Sequence, residues 1–298
     1  MRRLGEFILR GRLPAIVLTS LLAIIGLRLQ IFAYLLGGLS PALVTLRKGP
    51  VAGLQIIIGS LLLTALLVPL AGLNPLAVIA IAAAIWLPVW FCSTVLRVTE
   101  AQGKLLLAAG AWALLYIVMT HLLIGDVSKW WGDWLQLWLE QALQQGEKAQ
   151  FQEILTRAAP LMNAMTAAGL FISLVTTLLA ARWWQALMFN PGGFRREFHA
   201  LSLPRELIVM VFAGLVLLAL DQARPGSPAV DVLFLMIFLY LFQGLSTIHR
   251  TVGTRKLAHS MLVVLYVLLL LVPQTILFVA CLGMVDSWLV RPGSAKPE

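Results

Sequence analysis

Six polar side chains, Arg28, Gln55, His121, Asn163, Gln243 and Gln274, sit inside long apolar runs. A polar or ionisable group is costly to keep in hydrocarbon, so each is by default a candidate for binding or ion handling. Gln55, His121, Asn163 and Gln243 are the ligand candidates, on condition that they face one interior pocket. His121 lies near the end of its run, as do Asp126, Asp221 and Asp286. Side chains there reach water, so solvation or snorkelling is expected in place of a proton relay. No two acids fall in mid-run, which argues against a mechanism driven by protons or sodium.

A second constellation is the string Asn-Pro-Gly-Gly-Phe-Arg-Arg-Glu-Phe-His-Ala-Leu at residues 190–201. A turn at Gly192 and Gly193 is able to bare backbone N–H groups, and Arg195 and Arg196 follow at the start of a helix. That combination suits an anionic group, either a lipid headgroup or a phosphate. It reads equally as an interfacial linker whose arginines only fix topology. A phosphate-binding loop is excluded, because no Lys-Ser or Lys-Thr closes the glycine run and no strand precedes it.

Catalytic constellations are missing. The sequence has no His-Glu-x-x-His, no Gly-x-Ser-x-Gly and no paired intramembrane aspartates. Cys92 and Cys281 stand in apolar segments with no His or second Cys nearby, so neither a metal site nor a disulfide is implied. The expectation is a protein that is not an enzyme and carries no cofactor.

These residues are held by a frame that composition defines. Of 298 residues 60% are hydrophobic and only 12% charged, against about a quarter charged in soluble domains. The mean hydropathy is +0.93. Lipid is the solvent such a chain requires. The net charge of +9 is dispersed in short clusters between apolar runs, which sets topology and gives no nucleic-acid surface. No acid, base or histidine occurs in residues 49–96, where Asn74 and Pro75 divide two runs, each long enough to span. Further runs occupy 105–125, 158–181, 207–220, 232–248 and 260–285. The fold class is therefore all-α, a polytopic transmembrane bundle of about eight or nine helices.

The expected organisation is one transmembrane domain over residues 1–298. Segments 13–46 are short and compatible with a hairpin, one kinked helix or a re-entrant pair. Spans follow at 51–125, then an extracytoplasmic amphipathic segment at 126–157, a span at 158–181, a basic cytoplasmic loop at 182–205 and spans at 206–286. Lys and Arg cluster on every second connection, which puts those loops and the N-terminus in the cytoplasm. The connections at Asn74 and Pro75, at 126–157 and at 221–231 belong outside.

Two further patterns bear on partners. Trp130, Trp131, Trp134 and Trp138 crowd the outside segment, with Trp131, Trp134, Leu135 and Trp138 at helical spacing. Such a helix lies at the headgroup level, as an interfacial anchor or as a lid over an outward-facing pocket. Small residues recur four apart at Ala15, Thr19 and Ala23, at Ala80 and Ala84, at Ala109 and Ala113, and at Ala164 and Ala168. These allow close helix approach, and the first row is a candidate docking face for another membrane subunit.

The passage Gly-Gly-Leu-Ser-Pro-Ala-Leu-Val-Thr-Leu-Arg-Lys-Gly-Pro at 37–50 and the 190–201 string resemble the YybS-like family of bacterial membrane proteins of unknown function. That family is similar, distantly, to the substrate-binding subunits of energy-coupling-factor vitamin transporters. The resemblance implies that the Ala15, Thr19 and Ala23 face docks a transmembrane coupling protein, and it carries over no substrate residue. The chain departs from the six-helix plan of those subunits by extra segments and the outside insertion. Two roles remain: a solute-binding or transport subunit, or a non-transporting scaffold that binds lipids or partner membrane proteins.

Overall fold

The computed structural model describes residues 2–28, 33–72, 74–142, 145–220 and 224–289. Among these residues every regular element is a helix. In chain order they are α1 (Arg2–Arg10), α2 (Arg12–Arg28), α3 (Ala33–Lys48), α4 (Pro50–Leu67), α5 (Pro75–Thr99), α6 (Gln102–Ile124) and α7 (Val127–Ala142). Then come α8 (Gln145–Ala158), α9 (Met162–Phe189), α10 (Gly193–His199), α11 (Leu207–Ala219), α12 (Pro228–Thr254), α13 (Ser260–Leu271) and α14 (Gln274–Leu289). A 3-10 turn at Ala159–Leu161 leads from α8 into α9.

Length and composition qualify α4, α5, α6, α12 and the stretch Phe151–Phe189 to cross a membrane. The pair α1 and α2, bent by 118° at their junction, adds a sixth if counted as one span, and α11, α13 and α14 are apolar but shorter. This is the polytopic helical bundle that the hydrophobic runs predict. Their ends follow local chemistry. Asn74 caps α5 by accepting the Leu76 and Ala77 N–H groups at 2.9 and 3.4 Å, with Pro75 behind it. The run at 260–285, read from sequence as one segment, is broken by Pro273. Val272 is held extended (φ −124°, ψ 91°), as the residue before a proline prefers.

The chain forms two compact units, Met1–Ala109 with Ile172–Leu201 and Gly110–Phe171 with Ser202–Glu298. In the first unit α2 packs on α3 and α4. Within stretch 13–46 the described residues form α2 and α3, which pack on each other. Ala15 and Thr19 are fully buried here, Thr19 donating to Ser40 Oγ at 2.9 Å, while Ala23 packs beside Trp86. The row expected to dock a partner is therefore occupied within this unit, because its small side chains let α3 and α4 come close. Ala109, Ala113, Ala164 and Ala168 are also buried, whereas Ala80 and Ala84 are exposed.

In the second unit α12 and α14 meet backbone to backbone. A Cβ on Gly244 would lie 1.9 Å from the Val279 carbonyl oxygen, and one on Gly283 2.2 Å from that of Tyr240. Phe171 and Phe242 pack edge to face at 5.8 Å, and Gly110 leaves room for Leu239, so parts of α9 and α6 close on α12.

A candidate membrane-embedded polar site

Asp231 is fully buried. It stands in the first turn of α12, after Ser227 at the N-cap and Pro228 at the first helical position. Proline is tolerated there because the N–H it lacks would have had no helical acceptor. The positive end of the helix favours a carboxylate at this point. His121, in the last turn of α6, brings Nε2 to 2.8 Å from Asp231 Oδ2. Asn163, the second residue of α9, donates from Nδ2 to the same oxygen at 2.5 Å. Asn163 is 1% exposed, and the His121 side chain is 14% exposed.

The approach to α12 is fixed by a tight contact. Gly226 has φ 88°, and a Cβ there would lie 1.9 Å from Ser128 Oγ and 3.4 Å from the Pro160 carbonyl oxygen. Glycine supplies both the left-handed backbone and the clearance. The loop ahead of Asp231 thereby rests on the start of α7 and on the turn ahead of Asn163.

Two residues singled out from sequence, His121 and Asn163, thus meet on an acid assigned from sequence to an outside connection. Counting Asp231 with the 221–231 loop overlooked the Ser227-Pro228 helix start, which puts Asp231 one turn inside α12. The solvated role expected of His121 gives way to a hydrogen bond with a buried carboxylate. Asp126 is exposed and accepts the Lys129 N–H at 2.9 Å, whereas Asp221 lies outside the described residues.

All three residues of the site lie within the stretch matched by a family model described as predicted membrane protein (DUF2232), residues 15–287. The chain belongs to the DUF2232 family. No curated protein and no solved structure matches it significantly.

In this DUF2232 chain the other ligand candidates lie elsewhere. Gln243, fully buried, accepts the Leu203 N–H at 3.0 Å and donates to Asp286 Oδ2 at 3.2 Å. Arg250 donates to Asp286 Oδ1 at 2.5 Å. Asp286 is only 8% exposed, so the solvated end position expected of it is corrected to a buried, neutralised pair. Gln55 and Gln274 are exposed on α4 and α14.

In the 190–201 string one N–H of the glycine turn is engaged. Gly192 takes φ 83°, and the Gly193 N–H is spent on the Asn190 carbonyl at 3.0 Å. Arg182 grips Glu197 through both carboxylate oxygens at 2.8 and 2.5 Å, which ties this turn to α9. Arg195 and Arg196 remain exposed beside the stacked rings of Phe194 and Phe198. On α7 the buried stripe is Val127, Leu135 and Leu139, and Trp130, Trp134 and Trp138 are about half exposed. Trp131 packs edge to face against Trp130 and Trp134. A groove of about 300 Å³ runs between α7 and α8, lined among others by Lys129, Gln136, Gln152 and Thr156.

Proposed function

We propose that this protein is a membrane-embedded solute-binding or transport subunit whose binding centre is Asp231 with His121 and Asn163. The observation that carries the reading is a fully buried carboxylate, inside an apolar helical chain, whose two hydrogen-bond partners are an imidazole and an amide. Burying a charge without a paired cation costs several kcal/mol, so a position of purely structural value is filled more stably by an apolar side chain. In membrane proteins such groups mark ion or substrate paths. The resemblance to energy-coupling-factor substrate-binding subunits points the same way.

Native mass spectrometry in lipid nanodiscs tests it. A stoichiometric small molecule should accompany the wild type and be lost from Asp231→Asn. Recovery of phospholipid alone from both proteins would reject the binding role.

The scaffold role rests on a different feature, the exposed Arg195 and Arg196 beside the Phe194 and Phe198 stack. On that reading, changing both arginines to Gln reduces co-purifying anionic lipid or partner protein. Unchanged co-purification would remove it.

A further inference from the structure

Among the described residues of the second unit two carboxylates, Asp231 and Asp286, are buried, and they are treated differently. Both oxygens of Asp286 are engaged, Oδ1 by the Arg250 guanidinium and Oδ2 by the Gln243 amide. Its charge is matched by a permanent cation. Asp231 takes both of its donors, His121 and Asn163, on Oδ2. Its Oδ1 is buried and has no hydrogen-bond partner among the described residues. No lysine or arginine in that set pairs with it.

Asn163 adds a second acceptor. A carboxylate only accepts, so the amide nitrogen must be the atom turned toward Asp231. That leaves Asn163 Oδ1 as the free end, and it too is buried without a partner. The site presents one carboxylate and two buried oxygens without a partner among the described residues.

Ligand chemistries can be sorted against that inventory. An anion would be repelled, and an apolar solute would leave both oxygens unpaired. Calcium-class ions gather six to eight oxygen ligands, several of them carboxylates. No group of three or more His, Cys, Asp or Glu side chains able to hold a metal occurs among the described residues. In charge, one carboxylate balances a singly charged, compact cation, the carbonyl oxygen adds a second contact, and an inorganic ion would complete its shell with further oxygens.

We propose that Asp231 Oδ1 and Asn163 Oδ1 bind a compact monovalent cation, supplied either as an inorganic ion or as the primary ammonium head of a solute. The proposal rests on Asp231 being the binding centre. His121 is a positioning residue, which holds Oδ2 and so aims Oδ1. It bears on the expectation from acid spacing that argues against a sodium-driven mechanism, because Asp231 is counted there with a loop and not with a helix.

The test uses the full chain in nanodiscs, with thermal unfolding followed in sodium, potassium, ethylammonium and tetramethylammonium chlorides at equal ionic strength. Tetramethylammonium has no N–H and is too bulky to reach the oxygens. A saturable rise in unfolding temperature is expected with at least one of the first three and not with the fourth. Response to sodium or potassium identifies an inorganic ion, and response to ethylammonium alone identifies a solute head. Asn163→Ala should weaken the response about tenfold, the loss of one charge-assisted contact. Asp231→Asn should abolish it, and Asp231→Glu, which keeps the charge, replaces it if that variant fails to fold, with an altered half-saturation expected. Asp286→Asn should lower stability and keep the response. Equal response to all four salts, or a response that survives in Asp231→Asn, overturns the proposal. If no salt responds while mass spectrometry finds a metabolite that needs Asp231, this inference fails and the binding role stands. If neither appears, both fail.

Discussion

Pro41 and Pro50 each delete a backbone donor in the first unit, and in both cases a side chain from another helix supplies the replacement. In an α-helix the N–H of residue 41 would bond the carbonyl of Gly37. Proline has none, and Trp86 Nε1 donates to that carbonyl at 2.9 Å instead. Pro50 likewise leaves the Leu46 carbonyl without its donor, and Arg97 together with Gln185 Nε2 takes it. Lipid offers no water to satisfy such groups, so an orphan there is costlier than on a soluble surface. Trp86→Phe should therefore destabilise by about 1–3 kcal/mol beyond its lost packing. In a Pro41→Ala background the restored N–H bonds Gly37, so the same change should cost about 1 kcal/mol less. Equal losses in the two backgrounds, measured by thermal unfolding in detergent, would show that the indole N–H is not what matters.

Elements in the second unit are joined by glycine. The Cβ positions of Gly244 and Gly283 fall on the facing helix's backbone, which cannot move aside as a flexible side chain can. Gly283→Ala should part α12 from α14 and cost about 1–3 kcal/mol or more. Gly169→Ala meets nothing within 4 Å and should be neutral or slightly stabilising, since alanine is the better helix former. The contrast is read as unfolding temperature, and equal effects would mean that close approach does not control this pair. Such contacts also show what was legible in the sequence. The apolar runs gave the helices, and Asn74-Pro75 gave a boundary, because hydrophobicity and capping are local. Gly244 and Gly283 look merely apolar in a run, and which pairs of helices touch is not local. His121 meets Asp231 across 110 positions and Asn163 meets it across 68, so their types were visible as candidates and their meeting was not. Gln55 carried the same signal in sequence and lies exposed, since rarity of a polar group says nothing of which face it takes.

For the whole chain, charge distribution assigns sides to the two acid clusters. Residues 182–205 hold Arg182, Arg195, Arg196 and Arg205, and residues 250–256 hold Arg250, Arg255 and Lys256. The segment 126–157 carries five acids against three bases. By the positive-inside tendency the first two regions are expected in the cytoplasm and the third outside, with α9 and α12 each crossing once between them. Asp231, at the start of α12, lies by this reasoning at the outer end, and Arg250, near its finish, at the cytoplasmic end. On that expectation the Asp231 cluster sits toward the outside and the neutralised Asp286 pair toward the cytoplasm. Cysteine labelling tests the assignment in a background lacking Cys92 and Cys281, the first buried and the second exposed. Lys129→Cys and Arg196→Cys introduce thiols at exposed positions. An impermeant maleimide should label the thiol at 129 in intact cells and the thiol at 196 only after the membrane is opened. The reverse pattern would turn the Asp231 site to the cytoplasm, and any solute it binds would then be drawn from, or sensed in, the cell interior.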